Sequence, residues 1–414
     1  MNIQINQELS VETDIPFQTI HTFYMRWEIN DHAELQMSGI LNADIAAKSV
    51  SDKIVKLTLN EEILFSGIIV EEKRTYSGLT MVTIKAVSAS IQLDLKKQSQ
   101  AYQDVEQIYS QIARERIEAF DGNMLCTVGK QKIGKPVICY QETDWEFIKR
   151  LASRQNSFII PDVKTGEPNI WYGMKQGNGI TDNLQKEKIT IEVEKGYDKS
   201  GEEARVKKYH VECSRNYSLG DSSNLYGEVC VVYKKQIWFE NGACRFLYSL
   251  SNQIEVEELY NEAFTGLGLT GTIEDTENES VRISFDIGGG SRAYYYPWRP
   301  ETGNALYEVP ETGTKVVVYF RNHDERDGVA VRCVKSSKAN WNSGDKVNQT
   351  LADVYVNLKD NEIAIKKKKD VFTITDSKIS INGGEVHIDG SGKVKVEAKK
   401  ISLEASVEIK VTAE

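Results

Sequence analysis

The chain has 414 residues, 40% hydrophobic and 27% charged, with a formal net charge of −10; that is enough for roughly two to four domains with their own cores, and the acidic balance argues against nucleic acid as a partner. No apolar run approaches the ~20 residues needed to cross a bilayer. The opening Met1-Asn2-Ile3-Gln4-Ile5-Asn6 has neither a basic segment nor a following apolar one, so no Sec-type signal peptide is expected and the chain is expected to be made in the cytoplasm.

The first hundred residues are β-rich. Ile54–Leu59 alternates in polarity, Asn60-Glu61-Glu62 supplies turn chemistry, and Ile63–Val70 follows as a second strand with Gly67 as a candidate bulge. Met81–Val87 continues the meander after Ser77-Gly78. A first domain over 1–100, a small barrel or curled sheet, is expected.

Helices come next. Val105, Ile108, Tyr109, Ile112, Ile117 and Phe120 fall at helical spacing between Tyr102 and Phe120, and Asp121-Gly122-Asn123 ends the run. Thr143 followed by Glu146 forms a capping box. Beyond it Phe147, Ile148 and Leu151 make an apolar stripe, with Lys149, Arg150 and Arg154 expected to face water. A third short helix is predicted over Glu255–Phe264. The turn-rich stretch 164–201 reads as loops on a second β domain that closes near Val229–Tyr233, so helices and second β domain together span 101–265.

From 266 to 340 the pattern is that of an OB-fold barrel. Five short strands are predicted around Thr270–Ile273, Val281–Phe285, Ala293–Tyr296, Lys315–Phe320 and Val329–Val334. Beyond Trp341 the chain has no Pro, Cys or Trp at all.

The tail, 341–414, has a different character. From Ile401 to Val411 every odd position is apolar (Ile401, Leu403, Ala405, Val407, Ile409, Val411) and every even one polar. Val394 and Val396, Val386 and Ile388, Ile379 and Ile381, and Val354, Val356 and Leu358 keep the same period of two, and a phase shift falls at Lys399-Lys400. An eleven-residue strand at ~3.3 Å per residue is roughly 36 Å long. Its sheet has an apolar face that no later segment of the chain can cover, which alone would expose a hydrophobic stripe and open edges. Winding three copies into a β-prism buries that stripe. From Asn342 to Glu414 twelve Lys balance twelve Asp plus Glu, so like strands can stack without accumulating charge. The expected core of this homotrimeric needle, beginning near Asp353, is Val394, Val396, Ile401, Leu403, Ala405, Val407, Ile409 and Val411.

Three patterns carry a family resemblance. Leu64-Phe65-Ser66-Gly67-Ile68-Ile69 resembles an early F-x-G-hydrophobic strand. Tyr140-Gln141-Glu142-Thr143-Asp144-Trp145-Glu146-Phe147-Ile148-Lys149-Arg150-Leu151 resembles a Y-x-E-[ST]-D-x-x-F-[IL]-x-R-L helix entry. Pro310–Phe320 with Asp324-Glu325-Arg326-Asp327-Gly328 resembles the end of an OB domain. In this order they resemble the VgrG proteins of type VI secretion and the hub-and-spike proteins of phage tails and tailocins. The resemblance implies a mainly β fold with a few helices: two barrel-like hub domains, an OB-fold barrel and an intertwined trimeric β-helix needle. It further implies a homotrimer that plugs the inner tube, contacts baseplate proteins, pierces the target cell envelope and leaves the cell within its particle. Two departures matter. There is no room for a lysozyme domain between the barrel and the tail, and no H-x-H apex, which implies a separate PAAR-like tip protein on the C-terminal end.

Motifs with other chemistry have plainer readings. Gly266-Leu267-Gly268-Leu269-Thr270-Gly271 matches G-x-G-x-x-G, but a strand is expected after it where the dinucleotide fingerprint needs a helix, so it reads as a hinge. His387 with Asp389 offers two ligands per copy, against a stacked or solvated His. Lys366–Lys369 reads as a solvated edge or a basic collar. Tyr294–Pro300 reads as a stacking surface for sugars or bases, or as trimer packing. Cys126, Cys139, Cys213, Cys230, Cys244 and Cys333 are too scattered for a zinc site or disulfide framework and read as small core residues. No catalytic triad, P-loop or H-E-x-x-H occurs, and neither a cofactor nor a metal site is expected. The competing function is a tail-associated cell-wall hydrolase or glycan-binding module on the barrel or on the loops of 164–201.

Overall fold

The computed structural model describes residues 2–5, 8–42, 53–197, 203–240, 242–289, 294–300, 309–334, 346–349, 354–359 and 361–412. The chain divides into two units, Met1–Val334 and Lys335–Glu414.

The first unit is built on one long antiparallel sheet. Its N-terminal strands are β1 (Asn2–Gln4), β2 (Leu9–Thr13), β3 (Phe17–Glu28), β4 (Glu34–Leu41), β5 (Ile54–Leu59), β6 (Glu62–Ser77) and β7 (Leu79–Ser88). Between them and the second half lie β8 (Gln98–Tyr102), α1 (Tyr109–Glu118), β9 (Met124–Cys126), β10 (Val137–Glu142), α2 (Asp144–Ser153), β11 (Ile159–Pro161) and β12 (Ile170–Tyr172). The second half contributes β13 (Lys188–Tyr197), β14 (Glu203–Cys213), β15 (Ser222–Leu225), β16 (Glu228–Glu240) and β17 (Ala243–Ser251). The strand order is β1-β2-β5-β6-β7-β4-β3-β16-β17-β14-β13, with β15 on β16. β3 therefore fuses the two expected hub domains into a single curled sheet through its ladder to β16, from Glu28 opposite Lys234 to Phe23 opposite Phe239. One core serves both halves, with Trp27, Phe65 and Leu35 beside Tyr209, Phe246 and Leu250.

Local chemistry explains several boundaries. Asn60 and Glu61 both have positive φ, 48° and 66°, the backbone of a tight hairpin between β5 and β6. Gly67 is not a bulge. The register shifts fall between Leu57 and Thr58 and between Ile69 and Glu71. Gly67 is needed because a Cβ there would sit 2.4 Å from the Val87 carbonyl. The expected helix from Tyr102 starts only at Tyr109, since Tyr102 ends β8, which pairs with β10. α2 begins as expected: the Thr143 hydroxyl accepts from the Glu146 amide, and the Glu146 carboxylate accepts from the Thr143 amide.

The third expected helix, Glu255–Phe264, is replaced by an extended strap that ends in a 3-10 turn at Glu262–Phe264. Its inward residues Ile254 and Val256 are two apart and pack on the hub core, a strand period rather than a helical one.

A second, five-stranded sheet follows: β18 (Gly268–Glu277), β19 (Ser280–Phe285), β20 (Tyr295–Pro297), β21 (Lys315–Tyr319) and β22 (Val329–Cys333), in the order β20-β19-β18-β21-β22. A bridge between Trp298 and Ala330 joins its two ends into a small barrel. All five predicted strands are present, although Ala293 lies outside the described residues. The glycine motif opens β18, with φ of +80° at Gly266, and Gly271 lets β19 approach so closely that a Cβ would lie 2.5 Å from Ile283. Tyr296 and Trp298 are barrel core, 1% and 7% exposed, so these two residues of the aromatic run serve neither as a stacking surface nor as trimer packing.

The second unit, taken by itself, begins with an antiparallel meander: β23 (Lys346–Gln349), β24 (Val354–Lys359), β25 (Glu362–Lys367), β26 (Asp370–Thr375) and β27 (Ile379–Asn382). The expected start near Asp353 lies outside the described residues. From 383 to 412 no strand pairs within the chain. Lys368, at φ 54°, turns β25 into β26, so the four-lysine run is half strand and half hairpin turn.

Candidate functional site

Two of the three motifs singled out in the sequence, the Tyr140–Leu151 helix entry and the Asp324–Gly328 loop, meet at the joint between the helical layer and the small barrel. A deeply buried arginine, Arg150, sits there. Arg150 follows the capping box by two turns of α2, on the face beside Phe147, so the apolar stripe carries it inward. It is 2% exposed and lies 5.3 Å from the Phe147 ring centroid. Its Nε and Nη2 donate to the two oxygens of Glu142 at 2.8 and 2.7 Å, Nη2 also donates to the Ile138 carbonyl at 2.8 Å, and Nη1 donates to Glu325. Glu325, wholly buried, belongs to the Asp324–Gly328 loop of the barrel.

Arg154, one turn on, completes the joint. Its side chain is 2% exposed, donates to Glu325 at 3.2 Å and to Glu258 of the strap at 2.6 Å, and lies 4.6 Å from the Tyr260 ring centroid. Arg326 donates to Asp324 at 2.6 Å and to Glu258 at 3.2 Å. The strap is pinned further where the Leu259 amide donates to Ser153 Oγ and Asn261 Nδ2 donates to the Tyr140 carbonyl. Arg150 and Arg154 were expected to face water. Tertiary partners override that reading, because a charge can be buried once it is paired and its hydrogen bonds are met.

The electrostatics follow from this crowding. Burial by itself would make Arg150 easier to deprotonate, but Glu325 and Glu142 outweigh it and hold the guanidinium charged. Burial would raise the Asp324 carboxyl, and the hydrogen bonds from Arg326, with the charge of Arg154, pull it below the usual carboxylate range instead. Burial first, then Glu142, pushes the Cys139 thiol up to about 12, which leaves it an inert core residue. Cys213 and Cys230 are buried as well, whereas Cys333 is exposed, so the core reading of the cysteines holds for only part of the set.

Through β8, whose Ala101 pairs with Ile138, the barrel also grips the hub by its backbone. Ala101 of β8 donates its amide to the Gly288 carbonyl at 3.0 Å, and Gly289 bridges to Ala101. Ala101 and Ile138 complete the barrel's own core. Gly289 has φ of +153° and a Cβ there would meet the Ala101 carbonyl at 2.4 Å, so only glycine fits. The sequence carried this signal as Gly288-Gly289-Gly290, which the motif reading passed over.

One arrangement resembles catalytic machinery. His32 Nδ1 lies 2.8 Å from Ser90 Oγ and Nε2 lies 3.3 Å from Asp94, with the imidazole stacked 4.0 Å from Trp145. Ser90 is 1% exposed and shares its hydroxyl with Ser88 at 2.7 Å, so its oxygen cannot reach a substrate carbonyl. The trio ties the turn between β3 and β4 and the 3-10 turn Ala89–Asp94 to the α2 N-terminus, where Thr143 donates to Asp94. Among the described residues no group of three or more His, Cys, Asp or Glu is placed to hold a metal ion. Among the described residues no helix is long and apolar enough to cross a membrane.

In the second unit the needle residues named from the sequence are exposed. Val394 is 54% accessible, Leu403 70%, and Val407 95%. The meander joins Val356, Leu358, Ile379 and Ile381, which the alternation marks, to Ile363, Ile365, Phe372 and Ile374, which it does not. Val356 faces Ile365, Leu358 faces Ile363, Phe372 faces both Ile365 and Ile381, and Ile374 faces both Ile363 and Ile379. Cross-strand partners share a face, so these eight apolar side chains form one continuous surface.

A curled antiparallel sheet carrying a short helical layer and a small five-stranded barrel defines the first unit as a mainly β hub fold. The chain is similar to the E. coli c3393 protein, a component of the type VI secretion system with structural similarity to the T4 bacteriophage tail proteins gp27 and gp5. The identity is 14% and the TM-score 0.56, over 78% of this chain and 99% of that one. A tail protein of prophage MuSo2 from Shewanella oneidensis (10% identity, TM-score 0.47, 59% of this chain and 96% of that one) and one from Neisseria meningitidis (9%, 0.44, 59% and 96%) also match. No protein-family model and no curated protein matches the sequence. The resemblance drawn from the three motifs is thus borne out in the fold.

Proposed function

We propose that the chain is a structural hub and spike of a contractile injection machine. Three copies would plug the inner tube, seat on the baseplate and drive through the target cell envelope when the sheath contracts. In this reading the particle carries the protein out of the cell in which it is made, and a PAAR-like protein caps the C-terminal end. The segments 1–100, 101–265 and 266–340 form the hub and barrel, and 341–414 the shaft.

The observation that carries this reading is the apolar surface of the tail. Ile365 is 48% exposed, Ile381 55% and Ile379 67% on the meander, and Ile401, Leu403 and Val411 are 56%, 70% and 84% exposed beyond it. A surface of this kind on a water-exposed sheet demands a partner, and identical tails supply matching stripes. In the trimer, Val394, Val396, Ile401, Leu403, Ala405, Val407, Ile409 and Val411 would face the threefold axis. The fold likeness to a type VI secretion component supports the same role, which is mechanical rather than enzymatic.

The test is the mass of the full-length protein by light scattering coupled to size exclusion. Three chains per particle is the expected result, and a monomer at micromolar concentration would overturn the reading. Leu403→Asp combined with Val407→Asp is expected to split the trimer while leaving the hub folded.

A further inference from the structure

The hub contains a second polar feature that the joint does not use. A cavity of about 390 Å³ lies between β3, β16 and the loops around 163–178 and 216–221. Lys235, on β16, lines it. Its side chain points in from a sheet position that is 4% exposed, donates to Asn216 Oδ1, and lies 5.6 Å from the Phe246 ring centroid. Lys175 enters beside it, donating to Ser218 Oγ at 2.8 Å and lying 5.5 Å from the Trp27 ring centroid.

The acids nearby are already committed. Glu62 pairs with Lys164 at 2.7 Å, with side chains 53% and 42% exposed, and accepts from Asn216 Nδ2 at 2.9 Å. Asp221 spends its two oxygens on the amides of Asn178 and Ser218, at 2.8 and 2.7 Å. Among the described residues no carboxylate lies within ion-pair distance of Lys175 or Lys235. Two ammonium groups thus share a cavity with hydrogen bonds and aromatic faces but no direct counter-ion.

A buried ammonium in this position either gives up its proton or acquires an anion. We propose that the cavity binds a small anionic molecule, with its carboxylate or phosphate group held between Lys175 and Lys235. Trp27, Leu64 and Val163 form the apolar side of the cavity, which suits a compact organic anion better than a bare ion. Pockets of this volume are ordinary for small ligands.

The proton balance gives the site a signature. Burial pushes Lys235 down to about 7; Glu62 and Asp221 oppose the shift, and Lys164 and Lys175 add to it. Burial also lowers Lys175, and Lys164 adds to that shift, with Asp221, Asp162 and Glu62 opposing. An anion favours the charged amine, so binding takes up a proton when the pH is above the free value. An amine titrating at about 7 makes a ligand of constant charge bind about tenfold more weakly at pH 8 than at pH 6.

Calorimetric titration of the full-length protein with acetate and with inorganic phosphate tests this. One saturable site per chain is expected for at least one probe. Acetate, whose charge is constant over this range, is the probe for the tenfold pH effect. Lys235→Met and Lys175→Gln, each checked for an unchanged far-UV spectrum, are expected to weaken binding at least tenfold. Lys175→Gln keeps the test valid if Lys235→Met fails to fold. No saturable binding of either probe, or binding unchanged in a folded variant, overturns the proposal.

Discussion

Arg150 and Glu325 stand 175 residues apart in sequence and form an ion pair in which neither side chain is more than 2% exposed. The pair holds the barrel loop against the helix entry, and Glu142 occupies the rest of the same guanidinium. In the mechanical role proposed above, a hub and a barrel joined in this way would move as one body under thrust.

Removing the guanidinium leaves two carboxylates in a dry site. Arg150→Met is expected to destabilise the first unit by about 3–5 kcal/mol, read as a lowered denaturation midpoint. Arg150→Met combined with Glu142→Leu and Glu325→Leu is expected to recover much of that loss, because the stranded charges go too. An unchanged midpoint in Arg150→Met would contradict the geometry.

Acid should loosen the same joint. Burial raises the Asp324 carboxyl, but Arg326 and Arg154 prevail and hold it below its ordinary value; Asp94 is held down likewise, by hydrogen bonds from His32 and Thr143 against burial. A depressed carboxylate stabilises the fold above its unfolded value, about 4, and that contribution is lost as the pH falls through the lower folded value. Asp324→Asn is expected to lower stability at pH 7 and to flatten its decline below about pH 4, measured by urea titration across pH.

The helix entry is open to a milder probe. Thr143→Ala removes the acceptor for the Glu146 amide and the hydroxyl that reaches Asp94. A loss of about 1–2 kcal/mol is expected, and Thr143→Ser should restore most of it. Equal stability of the alanine and serine variants would show that the cap contributes little.

At the backbone clasp, Gly289→Ala brings a methyl group into the Ala101 carbonyl. The cost should exceed about 1 kcal/mol, and hydrogen exchange at the Ala101 amide, which donates to Gly288, should accelerate. Unchanged protection would show that the clasp tolerates the side chain.

The tail's meander makes a separate prediction. Ile365→Lys with Ile381→Lys places charges on the shared apolar face without touching the hub, and is expected to abolish self-association in light scattering. Retention of the wild-type mass would mean that this face is not the one buried between copies.

What the sequence disclosed follows the range of each interaction. The α2 capping box spans three residues and was legible in full. The barrel strands were legible because each is a short apolar run closed by turn residues. The fate of Arg150 was not, since Glu325 is too distant in sequence to be paired with it by pattern, and a lysine or arginine on a helix is solvated by default. The strap was mistaken for a helix although Ile254 and Val256 stand two apart. Phe372 and Ile374 escaped notice as members of the tail's apolar face because their position depends on register, which the alternation alone does not fix.

The ladder between β3 and β16 sets the order in which this protein can be made. Phe17–Glu28 must wait for Glu228–Glu240, roughly 200 residues later, which at ribosomal speeds is about 10–40 s. Throughout that interval the β3 edge is unpaired and able to join a neighbouring nascent chain. Such long-range closure is intrinsically slow, and identical chains made from one message would emerge close together. Expression at reduced temperature, or with chaperones in excess, should therefore raise the soluble yield more than any change to the tail.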